Sequence, residues 1–153
     1  MNRNKQFIIR VYGLVINKNH ELLVSDEFEL GMKITKFPGG GLEFGEGLTE
    51  CLKREFREEC QQQEITNIRH YYTTDFYQQA LFYKNAQLIS VYYLVDLEGP
   101  VNFKISKEAF DFEIGGKQTQ SFRWVKIKDL KEDDITFAID KFVVKKLKLE
   151  FDA

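Results

Sequence analysis

A chain of 153 residues is long enough for one domain with a substantial core and short for two. Its 43% hydrophobic and 30% charged residues are typical of a globular protein and exclude a disordered one. The net charge of -2 leaves no basic excess for general nucleic-acid binding. A small phosphorylated ligand is still compatible with this charge, because a metal ion can supply positive charge locally.

The first part of the chain predicts three strands followed by a helix. The predicted strands are residues 7–17, residues 21–25 and a short segment that ends at Phe37, with a looser stretch over 26–32. Pro38 and the glycines at 39–41 are expected to stop any regular element. A helix is expected to begin near Thr49, because Leu52, Phe56 and Cys60 are spaced for one buried face.

The second part of the chain predicts further strands and a terminal helix. The strands are residues 65–77, residues 80–96 (divided around 84–86) and residues 121–127, and the helix is residues 137–151. Gly115 and Gly116 indicate a turn or loop in the segment between the last two strands. This order predicts an α/β/α sandwich in a single domain, with helices packed on the faces of a mixed β-sheet.

The two cysteines and the first apolar run bear on the cellular compartment. Cys51 and Cys60 lie nine positions apart in one predicted helix, roughly 13 Å along its axis, which is too far for a disulfide. We expect both to be reduced, half-buried thiols. The apolar run 7–16 contains Arg10 and is too short to span a bilayer. The sequence therefore predicts a soluble, cytoplasmic protein.

Three glutamates share one side of the predicted helix. With Glu55 at zero on a helical wheel, Glu59 falls near roughly 40° and Glu58 near roughly 300°. Glu59 thus lies in the apolar stripe, where a carboxylate is costly unless it is paired or bound to metal. We expect the three carboxylates to converge on a cation, and hard oxygen ligands favour Mg²⁺ or Mn²⁺.

Two further features of this segment bear on the metal site. Gly39 and Gly40 allow the backbone to approach a ligand closely, and a carbonyl of this turn could complete the metal shell. Zinc fits poorly, because His20 and His70 lie in other elements. The alternative is that the acids only form surface ion pairs with the arginines of the same helix.

The segment 38–60 resembles the signature of the Nudix (MutT-like) hydrolase family. The matching residues, at the spacing of that signature, are Gly40, Glu46, Arg54, Glu55, Phe56, Glu58 and Glu59. The resemblance implies the Nudix α/β/α sandwich, with the signature forming a loop, a helix and a second loop. It also implies a hydrolase that cuts a pyrophosphate bond in a nucleoside diphosphate derivative.

The resemblance further implies roles for individual residues. Glu55 and Glu59 would hold magnesium, which acts as Lewis acid and as a source of hydroxide. Glu58 would be a further ligand or the general base. Arg54 would orient the glutamates through a salt bridge, and Glu46 would fix the loop against the helix. The last two residues could instead be only structural.

Two positions depart from the family pattern. Gln61 and Gln62 stand where the family has glycine and an apolar residue, so Gln61 either adopts a left-handed conformation or lets the helix end differently. Many members also supply an acid from a loop before the Trp-containing strand, and residues 115–120 contain none. Three nearby acids could substitute for it: Glu108, Asp111 and Glu113.

The sequence leaves alternatives open. The chain could be a Nudix-fold sensor that binds a nucleotide without turnover, or an interaction module with a vestigial signature. The substrate is a small nucleotide of undetermined kind, and the residues that bind it are not identified. Six tyrosines in the strand region could stack on a base, although strand aromatics more often belong to the core: Tyr71, Tyr72, Tyr77, Tyr83, Tyr92 and Tyr93. No membrane partner is expected, and a homodimer is possible.

Overall fold

The computed structural model describes residues 5–151, which form seven strands and two α-helices. The strands are β1 (Gln6–Val15), β2 (Glu21–Glu29), β3 (Met32–Lys36), β4 (Gly39–Gly41), β5 (Glu64–Thr73), β6 (Ala86–Glu98) and β7 (Gln120–Lys126). The helices are α1 (Leu48–Glu59) and α2 (Ala138–Phe151), and short 3₁₀ turns at Ile127–Asp129 and Glu132–Asp134 precede α2. Neither helix is long and apolar enough to cross a membrane, as judged over residues 5–151.

The strands form two sheets. The first has the order β4-β1-β6-β5 and is mixed, because β1 and β6 run parallel while the other neighbours are antiparallel. The second has the order β3-β2-β7 and is antiparallel throughout. The predicted mixed sheet is therefore present, and a second sheet accompanies it.

The alternation of side chains along β1 divides the interior into two cores. Val11 and Val15 pack in a cluster with Leu52 and Phe56 of α1. Tyr12 and Leu14 point the other way, into a cluster to which α2 contributes Ile139, Val143, Val144 and Leu147. Because successive residues of a strand face opposite sides, α1 and α2 cover opposite faces of the first sheet. The predicted α/β/α sandwich is confirmed.

Several predicted elements differ from the structure. The glycines at 39–41 were expected to end regular structure, but they form β4 and pair with Arg10, Val11 and Tyr12 of β1. Glycine carries no side chain, so its backbone can approach β1 closely, and an added Cβ at Gly39 would collide with Tyr12. The strand expected at 21–25 extends to Glu29, through the stretch interpreted as loose.

The aromatic region also differs. The strand predicted at 65–77 ends at Thr73, and the one predicted at 80–96 begins only at Ala86. Residues 80–83 are apolar but lie outside the strands, and all four line a cavity on the sheet face together with Ile8 and Leu88. A high strand propensity indicates that a side chain suits a half-buried surface. The side chains of residues 80–83 pack on such a surface, although these residues lie outside the strands.

Both cysteines are free and fully buried, where half-buried thiols were expected. Burial raises the pKa of the Cys51 thiol to about 12 and that of Cys60 still further. Both thiols are therefore protonated at neutral pH.

Candidate active site

Arg54 joins helix α1 to the glycine-rich loop in front of it. Its Nε and Nη2 donate to the two carboxylate oxygens of Glu46 at 3.0 and 2.7 Å, and Nη2 also donates to the Gly41 carbonyl at 3.0 Å. These bonds lower the pKa of Glu46 to about 2. A bidentate arginine–carboxylate pair has a fixed geometry, so the loop is held at a defined distance from the helix.

The same guanidinium holds two of the three glutamates. Its Nη1 donates to Glu55 Oε1 at 3.0 Å and to Glu58 Oε2 at 3.2 Å. The Glu55 carboxylate is only 12% exposed and lies directly against Gly40, where an added Cβ would stand 2.5 Å from it. Position 40 therefore accepts only glycine without displacing Glu55.

Glu59 extends into the protein interior from the end of α1. Its Oε2 is buried and has no hydrogen-bond partner among the described residues. Burial raises the pKa of Glu59 to about 7; Lys36 opposes this rise, and the charges of Glu27 and Glu55 add to it. A buried oxygen without a partner is costly, so this atom is suited to a ligand that supplies positive charge.

The expected convergence of all three glutamates does not appear. Within residues 5–151, no three or more His, Cys, Asp or Glu side chains are grouped so as to hold a metal ion. The Glu58 carboxylate is 59% exposed and turns toward Arg54. The helical wheel predicted the direction in which each side chain leaves α1. It could not predict the rotamer of a side chain with three rotatable bonds, and Glu58 adopts one that places its carboxylate beside Arg54.

Lys36 is a buried cation beside this site that sequence analysis missed. Its side chain is 4% exposed, and Nζ forms an ion pair with Glu27 at 3.1 Å and donates to the Gly39 carbonyl at 3.3 Å. Burial alone would lower the pKa of Lys36, but the neighbouring charges, led by Glu27, raise it, so the ammonium stays charged. The sequence carried one signal: a lysine inside the short strand that is predicted to end at Phe37.

One carboxylate whose charge acts on Glu59 comes from β2, a strand that the sequence analysis did not consider for this role. Asp111, one of the three candidates, forms an ion pair with Lys104 at 3.1 Å. The carboxylates whose charges act on Glu59 are Glu27 and Glu55. Gln120, at the start of β7, donates to Ser25 at 2.9 Å and to Glu27 at 3.2 Å.

The glutamate site fits a hard divalent cation in its donor set. Glu55 and Glu59 supply carboxylate oxygens, one of them buried and unpartnered, and Gly40 of β4 packs against the Glu55 carboxylate. The Gly39 carbonyl already accepts a hydrogen bond from Lys36, so it could serve as a ligand only if the ammonium withdrew.

Helix α1 ends in two left-handed residues. Gln61 has φ of 52° and Gln62 has φ of 63°, and the Gln62 N–H donates to the Arg57 carbonyl at 2.9 Å. Of the two possibilities stated above, Gln61 adopts the left-handed conformation. The loop after the helix therefore turns as a glycine-containing loop would, at the cost of conformational strain.

Comparison with known proteins agrees with this geometry. The family model described as the NUDIX domain matches residues 7–145. A MutT structure from a study of Aliivibrio salmonicida and Vibrio cholerae is 23% identical, with a TM-score of 0.66, 95% of this chain covered and 99% of that one. MutT from Methanosarcina mazei Go1 is 21% identical, with a TM-score of 0.60 and coverage of 95% and 96%.

A third solved structure extends the comparison at lower identity. The NUDIX hydrolase from Nitrosomonas europaea is 12% identical, with a TM-score of 0.69 and coverage of 94% of this chain and 90% of that one. At these identities the solved structures show a shared fold. No curated protein sequence matches the chain.

Proposed function

The chain belongs to the Nudix family of hydrolases acting on phosphorus-containing anhydrides, and from that premise we propose which bond it cuts and with which cofactor. The family hydrolyses nucleoside diphosphate derivatives in general. The proposed reaction is hydrolysis of the pyrophosphate bond in such a derivative, with Mg²⁺, or Mn²⁺ in its place, as the required cation.

The unpartnered buried oxygen of Glu59 is the observation that supports this proposal. It is buried without a hydrogen-bond partner in the described part of the chain, and burial raises its pKa, with the charges of Glu27 and Glu55 adding to the rise and Lys36 opposing it. A bound divalent cation supplies Lewis acidity and lowers the pKa of its water. Glu55, Glu59 and a carbonyl at Gly39 or Gly40 are the groups that would hold it.

The remaining residues of the signature position these groups. Arg54 touches Glu46, Glu55 and Glu58 together, so it fixes the carboxylates relative to the loop. Glu58 is exposed at 59% and free to meet solvent, which suits a general base that accepts a proton from water; it could also serve as a further ligand. Glu46 acts through Arg54 and would be a positioning residue.

Multiple-turnover hydrolysis tests the proposal. A panel of nucleoside diphosphate derivatives, incubated with Mg²⁺ or Mn²⁺, should release phosphate, pyrophosphate or a nucleoside monophosphate from at least one member. Addition of EDTA should stop the reaction. Metal-dependent nucleotide binding without turnover would instead indicate the sensor function, and full turnover in EDTA would refute the metal site. Cytoplasmic location and homodimer formation stay predictions.

A further inference from the structure

Lys36, on β3, places a buried positive charge beside the glutamate site. Its side chain is 4% exposed, and its Nζ lies 5.6 Å from the centroid of the Tyr12 ring. The same Nζ donates to the Gly39 carbonyl at 3.3 Å and pairs with Glu27 Oε2 at 3.1 Å. These contacts come from β1, β4 and β2, so three strands fix the position of the ammonium. Water and salt screen a buried charge of this kind only weakly.

The charge of Lys36 acts on Glu59. Burial raises the pKa of Glu59 to about 7, and Lys36 is the strongest of the charges that oppose this rise. In return, Glu59 is one of the charges that, led by Glu27, overcome burial and raise the pKa of Lys36. Lys36 therefore supplies part of the positive charge that the Glu59 carboxylate needs in the metal-free protein.

The groups that Lys36 contacts or stabilises overlap with those proposed to hold the divalent cation. Its ammonium donates to the Gly39 carbonyl, and its charge stabilises the Glu59 carboxylate. A lone pair directed at an ammonium N–H is not available to a metal ion, and two cations close together in a buried site repel each other. A metal ion and Lys36 therefore compete for the same oxygens.

Glu27 gives the ammonium a partner that lies outside the proposed set of metal ligands. Besides the ion pair with Lys36, its Oε2 accepts hydrogen bonds from the Ser25 hydroxyl at 2.8 Å and from the Gln120 amide at 3.2 Å. Two neutral donors therefore hold this carboxylate in place. The ion pair between Glu27 and Lys36 does not depend on the bond from Lys36 to the Gly39 carbonyl.

We propose that Lys36 is an internal competitor of the divalent cation: it partly neutralises the empty site and weakens the binding of Mg²⁺ or Mn²⁺. The inference rests on the proposed function, because it presupposes the metal site at Glu55 and Glu59. Metal binding breaks the bond between Lys36 and the Gly39 carbonyl and leaves the ion pair with Glu27 in place. The site is thus stable when empty, and its metal ion exchanges readily.

Titration of Mn²⁺ into the metal-free protein measures this competition without turnover. Electron paramagnetic resonance counts the free Mn²⁺ at pH 8 and constant salt, for wild type and for Lys36→Met, whose unbranched side chain carries no charge. Lys36→Met should bind Mn²⁺ tighter by about tenfold or more, because a like charge has been removed from a buried site. A variant with a merely disturbed structure would bind Mn²⁺ more weakly. Unchanged or weaker binding by a variant that is folded by circular dichroism would overturn the proposal.

Lys33→Met is the matched control for net charge. Lys33 lies on the same strand as Lys36, but its side chain is exposed. Removing a solvated charge should leave the Mn²⁺ affinity within about twofold of wild type, because water and salt screen it. A gain as large as that of Lys36→Met would show that net charge is responsible and would overturn the proposal.

A second pair of variants applies if Lys36→Met does not fold, since that substitution leaves Glu27 buried without its cation. The double variant Glu27→Gln/Lys36→Met removes both charges of the ion pair and leaves neither partner unpaired. It is compared with Glu27→Gln, so that both proteins lack the Glu27 charge. The double variant should bind Mn²⁺ tighter than Glu27→Gln by about tenfold, and equal affinities would refute the competition.

The outcomes separate this inference from the proposed function. Metal-dependent turnover together with equal Mn²⁺ affinities of wild type and Lys36→Met keeps the proposed function and removes the inference. Tighter Mn²⁺ binding by Lys36→Met, in a protein that hydrolyses no nucleoside diphosphate derivative, supports the competition and removes the proposed function. If neither wild type nor the variants bind Mn²⁺, the metal site is refuted and both proposals fail.

Discussion

Replacing Glu59 with glutamine should stabilise the metal-free protein at pH 8, although the variant loses a charge of the signature segment. Burial raises the pKa of Glu59 from 4.5 to about 7. At about 1.4 kcal/mol for each tenfold change in proton affinity, ionising this carboxyl costs the folded state about 3 kcal/mol. Glutamine keeps the size of the side chain and carries no charge, so the variant avoids this cost.

The protonation of Glu59 in the folded and unfolded states determines how the free energy of unfolding changes with pH. Below pH 4.5, Glu59 is protonated in both folded and unfolded protein, and its ionisation does not affect stability. Between pH 4.5 and about 7, only the folded protein keeps the proton, so stability falls as the pH rises. Asp140, whose pKa burial raises to about 6, titrates in wild type and variant alike, so the difference between the two proteins isolates Glu59.

Urea denaturation in EDTA at pH 5 and pH 8 measures the prediction. The gain in unfolding free energy of Glu59→Gln over wild type should grow from pH 5 to pH 8, toward about 3 kcal/mol. Adding Mg²⁺ or Mn²⁺ at pH 8 should stabilise wild type more than the variant. Glu58→Gln, at a carboxylate that is 59% exposed, is the control and should stay within about 0.5 kcal/mol of wild type. Parallel pH profiles for wild type and Glu59→Gln would refute the reasoning.

Three further predictions concern the same site. Glu55→Gln and Glu59→Gln should each abolish turnover while circular dichroism shows an intact fold. If a variant kept more than about a tenth of wild-type turnover, the lost charge would lower the activation barrier by less than about 1.4 kcal/mol, and that residue would not belong to the metal site. Gly40→Ala should lose activity because its Cβ would displace the Glu55 carboxylate, whereas Gly41→Ala, with 3.9 Å to its nearest neighbour, should keep it; equal activities would contradict this packing. Gln61→Gly should be neutral or stabilising in thermal denaturation by up to about 1 kcal/mol, because φ is 52°, and a clear loss of stability would show that the side chain makes a contact of its own.

The spacing of residues 40–59 predicted the helix, its buried face and the inward direction of Glu59, because all three follow from helical periodicity. It did not predict that Glu58 would turn outward, since rotamers depend on partners such as Arg54. Lys36 and Glu27 were missed for a different reason. They meet only because β2 and β3 pair in a register that places Ser25 opposite Lys36, and pairing register is a tertiary property.

The wrong predictions of strand positions have a similar physical origin. Residues 80–83 have the composition of a strand, and only the finished sheet shows that they lie over its face. Gly39–Gly41 have the composition of a loop, and they become a strand because β1 offers a partner that tolerates no side chain at Gly39. In both places the outcome depends on a neighbour distant in sequence.

The parallel pairing of β1 with β6 has a consequence for how the chain folds. Gln6 pairs with Ala86 and Val15 with Val95, so every rung of this ladder closes a loop of about 80 residues. Contacts of such high sequence separation slow folding, because chain entropy is lost before any contact compensates it. During synthesis, helix α1 leaves the ribosome before β6 has been translated, so its glutamates are present while the first sheet is still incomplete. The first sheet therefore cannot be completed around the site before β6 has been translated, although the signature segment is synthesised earlier.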